Sequence, residues 1–193
     1  MGWKEEHKYF KDEFSKESDR AAVILAAAKI DELLRLAIIK RLAPSPTSRD
    51  DLLESEGPLG TLRSRIDIAY RLNLIDSTFA RSLHIIRRIR NNFAHELSGA
   101  SLSSGAHADR VRELALPWRK IIETIHELQP ELKHDTVRSQ FEFMVGYTLV
   151  RLNQIVKHCE QVPTLPHPLG IFMEPVIGKK GTDLFIIFLI LLC

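Results

Sequence analysis

One run limits this chain more than any other: AAVILAAAKIDELLRLAIIKRLA, residues 21–43. Ile30, Leu33, Leu34, Ala37 and Ile38 recur at i, i+3, i+4, i+7 and i+8, which lays one continuous apolar stripe along a helix. Ser18 or Asp19 precedes the run and supplies an N-cap oxygen, and Pro44 and Pro46 stop it. Ala26, Ala27 and Ala28 leave room for a second helix to approach closely. A helix over 19–42, packed antiparallel against later helices, is therefore expected at the centre of the fold.

The remaining segments follow the same period. Residues 3–16 carry Trp3, Phe10 and Phe14 among charges, a short amphipathic helix with a thin apolar face. A connector over 44–60 holds a short helical piece near Asp51–Leu53 and a Gly57-Pro58-Leu59-Gly60 turn. Helices are expected over 61–73, from an Asp76 or Ser77 cap to about Leu97, over 107–129, and over 135–160, the last two split by Pro130. No stretch alternates long enough to build a sheet. The expectation is an all-α domain, a bundle of five to six helices over 1–160, followed by a Pro/Gly-rich linker and apolar tail over 161–193.

Composition narrows the function classes. The 193 residues suit one domain, with 45% apolar and 27% charged residues. A net charge of +2 excludes a polycation built to coat nucleic acid. Two cysteines, Cys159 and Cys193, make neither a disulfide framework nor a zinc site, and a reduced cytoplasmic setting is expected. No His, Cys or carboxylate cluster has metal-ligand spacing, and neither a metal nor a cofactor is expected. No apolar stretch follows Met1, so no signal peptide is read. The final ten residues, LFIIFLILLC, are half of the roughly 20 that a membrane-spanning helix needs. They read as a buried or disordered appendage rather than a membrane span.

Charge is concentrated in one segment. Gly57–His95 holds seven arginines (Arg63, Arg65, Arg71, Arg81, Arg87, Arg88 and Arg90) against Asp67 and Asp76, a local net of +5. Guanidinium forks suit bidentate contact with phosphate or carboxylate. Two readings stand: a solvated face ion-paired to the acidic N-terminal helix, or an anion- and RNA-binding surface that includes Arg63, Arg65, Arg87 and Arg88, the last two steering RNA.

This segment ends in Arg90-Asn91-Asn92-Phe93-Ala94-His95. Arginine neutralises a phosphate, and histidine, with an unperturbed pKa of about 6.5, serves as general acid or base. Together they suffice for metal-independent RNA cleavage, with His95 moving the proton and Arg90 stabilising the phosphorane. Residues five apart lie about 140° apart around a straight helix. The pair meets one phosphate only if the helix is distorted near Asn91-Asn92, or if two copies meet across a symmetric dimer. Two further pairs share the loose pattern, Arg119 with His126 and Arg151 with His158. Blander roles stand beside these. Asn91 and Asn92 cap or bend the helix, Phe93 is core, and Arg90 pairs with Asp31 or Glu32, acids that would alternatively orient His95. His84 and His126 read as core histidines, and His134, Asp135 and Glu142 as surface residues.

The stretch Glu56–Glu96 resembles the MltR family, named after the mannitol operon repressor. The resemblance rests on its Gly-Pro-Leu-Gly turn, Arg-Ile-Asp-Ile-Ala-Tyr helix, Leu-Ile-Asp break and terminal Arg-Asn-Asn-Phe-Ala-His. Fainter similarity of helix order extends over about 21–159. That family is in turn similar to the HEPN superfamily, whose nuclease members carry Arg-x(4–6)-His and work as dimers. The resemblance implies a homodimer, Arg90 and His95 as catalytic candidates, and Asn91 as their polar supporter. The family's name implies instead transcriptional repression. No helix-turn-helix is evident outside the arginine segment, so repression would act through a regulatory protein partner.

Overall fold

A computed structural model describes residues 3–48, 50–96, 99–128 and 135–163, and its helices fall within one compact unit, Met1–Gln161. Among these residues the structure is entirely helical: α1 (Trp3–Phe14), α2 (Asp19–Arg41), α3 (Leu62–Arg71), α4 (Ser77–His95), α5 (Gly105–Ala115), α6 (Arg119–Leu128) and α7 (Val137–His158). The expected helical class holds. The apolar tail and nearly all of the linker lie outside the described residues, as does His134.

Short polar side chains start the helices where the sequence places them. Ser18 accepts from the Ala21 N–H at 3.2 Å and Asp76 from that of Phe79 at 2.8 Å. Thr61 with Ser64, and Thr136 with Ser139, form reciprocal capping pairs at α3 and α7. α3 is closed by Asn73, just beyond its C-cap, which adopts φ 56°; its N–H reaches Tyr70 O and that of Leu74 reaches Ala69 O, both at 3.0 Å. This is a Schellman closure with asparagine in the left-handed position that glycine usually fills. Gly57 and Gly60 are required by close approach: a Cβ on either would lie 2.1 Å from Asp51 O or 2.2 Å from Ser55 O.

Two boundaries differ from expectation. Residues 44–60 contain turns but no helix, because the Gly-Pro-Leu-Gly segment folds back so that the Leu59 N–H bonds Leu52 O at 2.9 Å. The single helix expected over 107–129 is two. Pro117 has no N–H to donate and its ring crowds the preceding turn, so Leu116–Trp118 tightens to a 3₁₀ turn between α5 and α6.

α2 is the central element. Ala22, Val23, Ala26, Ala27, Ile30, Leu34, Ala37 and Ile38 are buried, because α3, α4 and α7 surround it. Phe79, Phe93 and Phe141 fill the core beside it; truncating any of them to alanine costs about 3–5 kcal/mol. Its orientation is only partly as expected. Arg20, at its start, donates to Phe93 O at 2.7 Å and Glu96 O at 2.5 Å at the end of α4, so those two helices are antiparallel. α7 runs parallel to it: Asp19 meets Arg138 at one end, while Lys40 reaches Val156 O (2.7 Å) and Arg41 reaches Glu160 O (3.1 Å) at the other.

The shared start of α2 and α7 is knotted by one side chain. Arg138 binds Asp19 and Glu142 at 2.6 Å each, and donates to Phe14 O at 2.6 Å and Glu17 O at 3.2 Å. Burial opposes the ionised form of Asp19. The Leu102 N–H and Arg138 outweigh it and hold the carboxyl below the usual carboxylate range. Glu142 is thus 7% exposed rather than a surface residue, because its charge is matched within the bundle.

Candidate functional site

α3 turns Leu62, Ile66 and Ala69 inward, and α4 turns Phe79, Leu83, Ile86, Ile89 and Phe93 inward. What remains outside is basic. Arg63, on α3, and Arg88 and Arg90, on α4, are exposed, and Arg87 is half-buried beside them. Arg88 makes no hydrogen bond or ion pair among the described residues. Burial, reinforced by the neighbouring charges of Arg63, Arg88 and Arg90, lowers the Arg87 pKa in spite of Asp67. Its Nε is buried without a partner among the described residues. Asp67 is shared between Arg63 at 3.8 Å and His84 Nε2 at 3.0 Å. Four guanidinium groups thus repel one another with one carboxylate to offset them.

Arg65 does not belong to this face. It is 6% exposed and its donors are committed internally: Nε to Leu59 O at 2.9 Å, Nη2 to Leu53 O at 2.9 Å, and Nη1 to Asp31 at 2.7 Å. It fastens the 44–60 connector to α2, so its donors are not free for the phosphate contact expected of it. Asp31 is engaged there and Glu32 with Arg35 at 3.5 Å, so neither acid reaches Arg90 or His95. Arg81 pairs with Glu113 at 2.9 Å. Glu13 of α1 pairs with Lys29 of α2 at 3.2 Å rather than with this segment.

α4 is continuous α-helix from Ser77 to His95, undistorted at Asn91-Asn92. Arg90 and His95 therefore leave it about 140° apart. Arg90 Nη1 bonds Asn91 Oδ1 at 3.0 Å, and Asn91 sits one turn before His95. The structure thus joins Arg90 to Asn91 but not to His95, which is exposed and makes no hydrogen bond or ion pair among the described residues.

One titratable residue escaped the sequence. His107, 6% exposed, stacks on Phe93 with ring centroids 4.6 Å apart and bonds Glu96 through Nε2 at 2.8 Å. It supports the end of α4 directly beneath the motif. No local pattern announces it, because its partners, Phe93 and Glu96, lie at the end of α4, beyond the intervening loop. Among the described residues no group of three or more His, Cys, Asp or Glu is placed to hold a metal, and no helix is long and apolar enough to cross a membrane.

No family model and no curated protein matches this chain. Among solved structures it is similar to a chain in the X-ray structure of the MtlR–HPr complex from Escherichia coli, with a TM-score of 0.56 and 16% sequence identity. The similarity covers 76% of this chain and 98% of that one. At that identity the likeness establishes a shared helical fold alone.

Proposed function

We propose that this chain is a non-catalytic, cytoplasmic regulatory protein that binds an acidic protein partner through the α3–α4 face. The observation that carries the reading is the half-buried Arg87, held among Arg63, Arg88 and Arg90 with a lone shared carboxylate. Such a cluster raises the energy of the free protein and is relieved by an anionic surface. The likeness to a chain solved with a protein partner agrees with it. So does the divergence of Arg90 and His95, which leaves one chain without a convergent acid/base and phosphate pair.

A second reading has one observation in its favour. Arg90 is bonded to Asn91, which stands one turn from a freely accessible His95. In a homodimer these groups would complete a metal-independent endoribonuclease, or an RNA-binding module with Arg87, Arg88 and Arg63 along the RNA path. Two measurements separate the readings. Titration with HPr, the partner of the structural neighbour, is expected to show salt-sensitive binding that disappears in the double variant Arg87→Glu/Arg88→Glu. RNA incubated with the chain in EDTA is expected to stay intact. Cleavage that vanishes in both Arg90→Ala and His95→Ala overturns the first reading and establishes the second.

A further inference from the structure

At the end of the bundle where α2, α3 and α7 finish, a groove of about 520 Å3 opens, and none of Arg63, Arg87, Arg88 and Arg90 lines it. It is lined by Arg41, Asn73, Arg151, Gln154, His158 and Glu160, with Leu74 and Ile155 as its apolar wall. Arg151 and His158 are seven residues apart on unbroken α7, so they leave it only about 20° apart. Arg151 and His158 both line the groove. Gln154 lies between them on the same face.

The two guanidinium groups are held differently. Arg151 is positioned by Asp76 at 2.5 Å and lies over the rings of Phe79 (4.2 Å) and Trp118 (5.6 Å). Its Nε and Nη1 make no hydrogen bond among the described residues. Arg41 donates one Nη1 bond to Glu160 O, and its Nε is buried with no partner among the described residues. Its Nη2 makes no hydrogen bond among the described residues and is the donor left for a ligand in the groove. Gln154, Asn73 and His158 make no side-chain hydrogen bond among the described residues.

We infer that this groove binds a small phosphate monoester, with Arg41 and Arg151 gripping the phosphoryl oxygens and Gln154 and His158 as further donors. A carboxylate has two oxygens in one plane and is satisfied by one guanidinium fork. Two guanidiniums, an amide and an imidazole need a third oxygen and donors from several directions, which a tetrahedral phosphoryl group accepts. The groove falls within the roughly 300–1,000 Å3 range of small-molecule sites. The helix ends do not repel the anion strongly, because Lys40, Arg41 and Gln161 take up Val156 O, Glu160 O and Leu42 O. The Glu160 carboxylate suits hydroxyl groups on the organic part of the ester.

The test is calorimetric titration of the full chain with glycerol 3-phosphate, and with glycerol and sulfate as comparisons. Saturable one-to-one binding of the ester is expected, with neither comparison binding as well. Arg41→Gln should weaken it about tenfold or more, Gln154→Ala a few-fold, and Arg87→Gln not at all. Thermal melting of each variant checks that it folds; His158→Ala, at an exposed position, carries the test if Arg41→Gln does not. The inference is overturned by no saturation up to about 10 mM ester. It is overturned equally by sulfate binding as tightly as the ester, or by unchanged affinity in Gln154→Ala and His158→Ala. None of these outcomes bears on the basic α3–α4 face.

Discussion

Arg65 and Arg87 come from the same basic segment and meet opposite fates. Arg65 has its donors distributed over Asp31, Leu53 O and Leu59 O, and is nearly inaccessible. Arg87 is half-buried with an orphan Nε and three cationic neighbours. The first is a structural rivet, while the second carries an unfavourable charge arrangement that contributes nothing evident to the fold. Sequence counts them alike. What separates the two is whether the donors are filled from within.

Several measurements can break that contrast. Arg65→Ala leaves Asp31 and two carbonyls unpaired and is expected to cost about 3–4 kcal/mol in urea unfolding. If instead Arg87→Ala costs as much, the distinction collapses. Second in size is the acid limb of stability. Asp19 is held below its usual range by the Leu102 N–H and Arg138 against the cost of burial, and Asp76 by the Phe79 N–H and Arg151. A depressed carboxyl contributes stability above its unfolded pKa, near 3.9, and loses it as pH falls through the folded value. Stability should therefore decline as pH drops below about 4, and Asp19→Asn should flatten that decline in a pH series of melting curves. Third, Arg87→Gln/Arg88→Gln should leave unfolding free energy within about 0.5 kcal/mol of the parent, while weakening the proposed partner about tenfold. Smallest of all, His95→Ala should change stability by less than about 0.5 kcal/mol, since the side chain is exposed and makes no hydrogen bond or ion pair among the described residues.

Much of the fold was legible because it is local. Ser18, Thr61 and Asp76 sit at helix starts, and Ile30, Leu34, Ala37 and Ile38 of the stripe are buried, with Leu33 half-buried against the core. The break at Pro117 was hidden by apolar and charged residues that continue the helical period on both sides of it. The parallel pairing of α2 and α7 leaves no local trace, since it depends on the path of the chain between them. At the site, the arginine density was visible but the removal of Arg65 was not, because Asp31 is 34 residues away. Glu142 looked like a surface residue for the same reason. Its i−4 neighbour Arg138 was in view, but Asp19, which completes the knot, stands 119 residues from that arginine.

The pairing of α2 with α7 also has a temporal side. Its contacts join residues 116 and 119 apart, such as Lys40 with Val156 and Arg41 with Glu160. During synthesis at about 5–20 residues per second, α2 waits on the order of 10 s for the helix that covers it. Over that interval α3 and α4 are the partners at hand, and the Arg65–Asp31 contact can form early. The nascent chain should therefore mature in two stages: an α2–α3–α4 nucleus, then closure by α7. Long-range closure of this kind slows folding and makes the last helix the step most exposed to error.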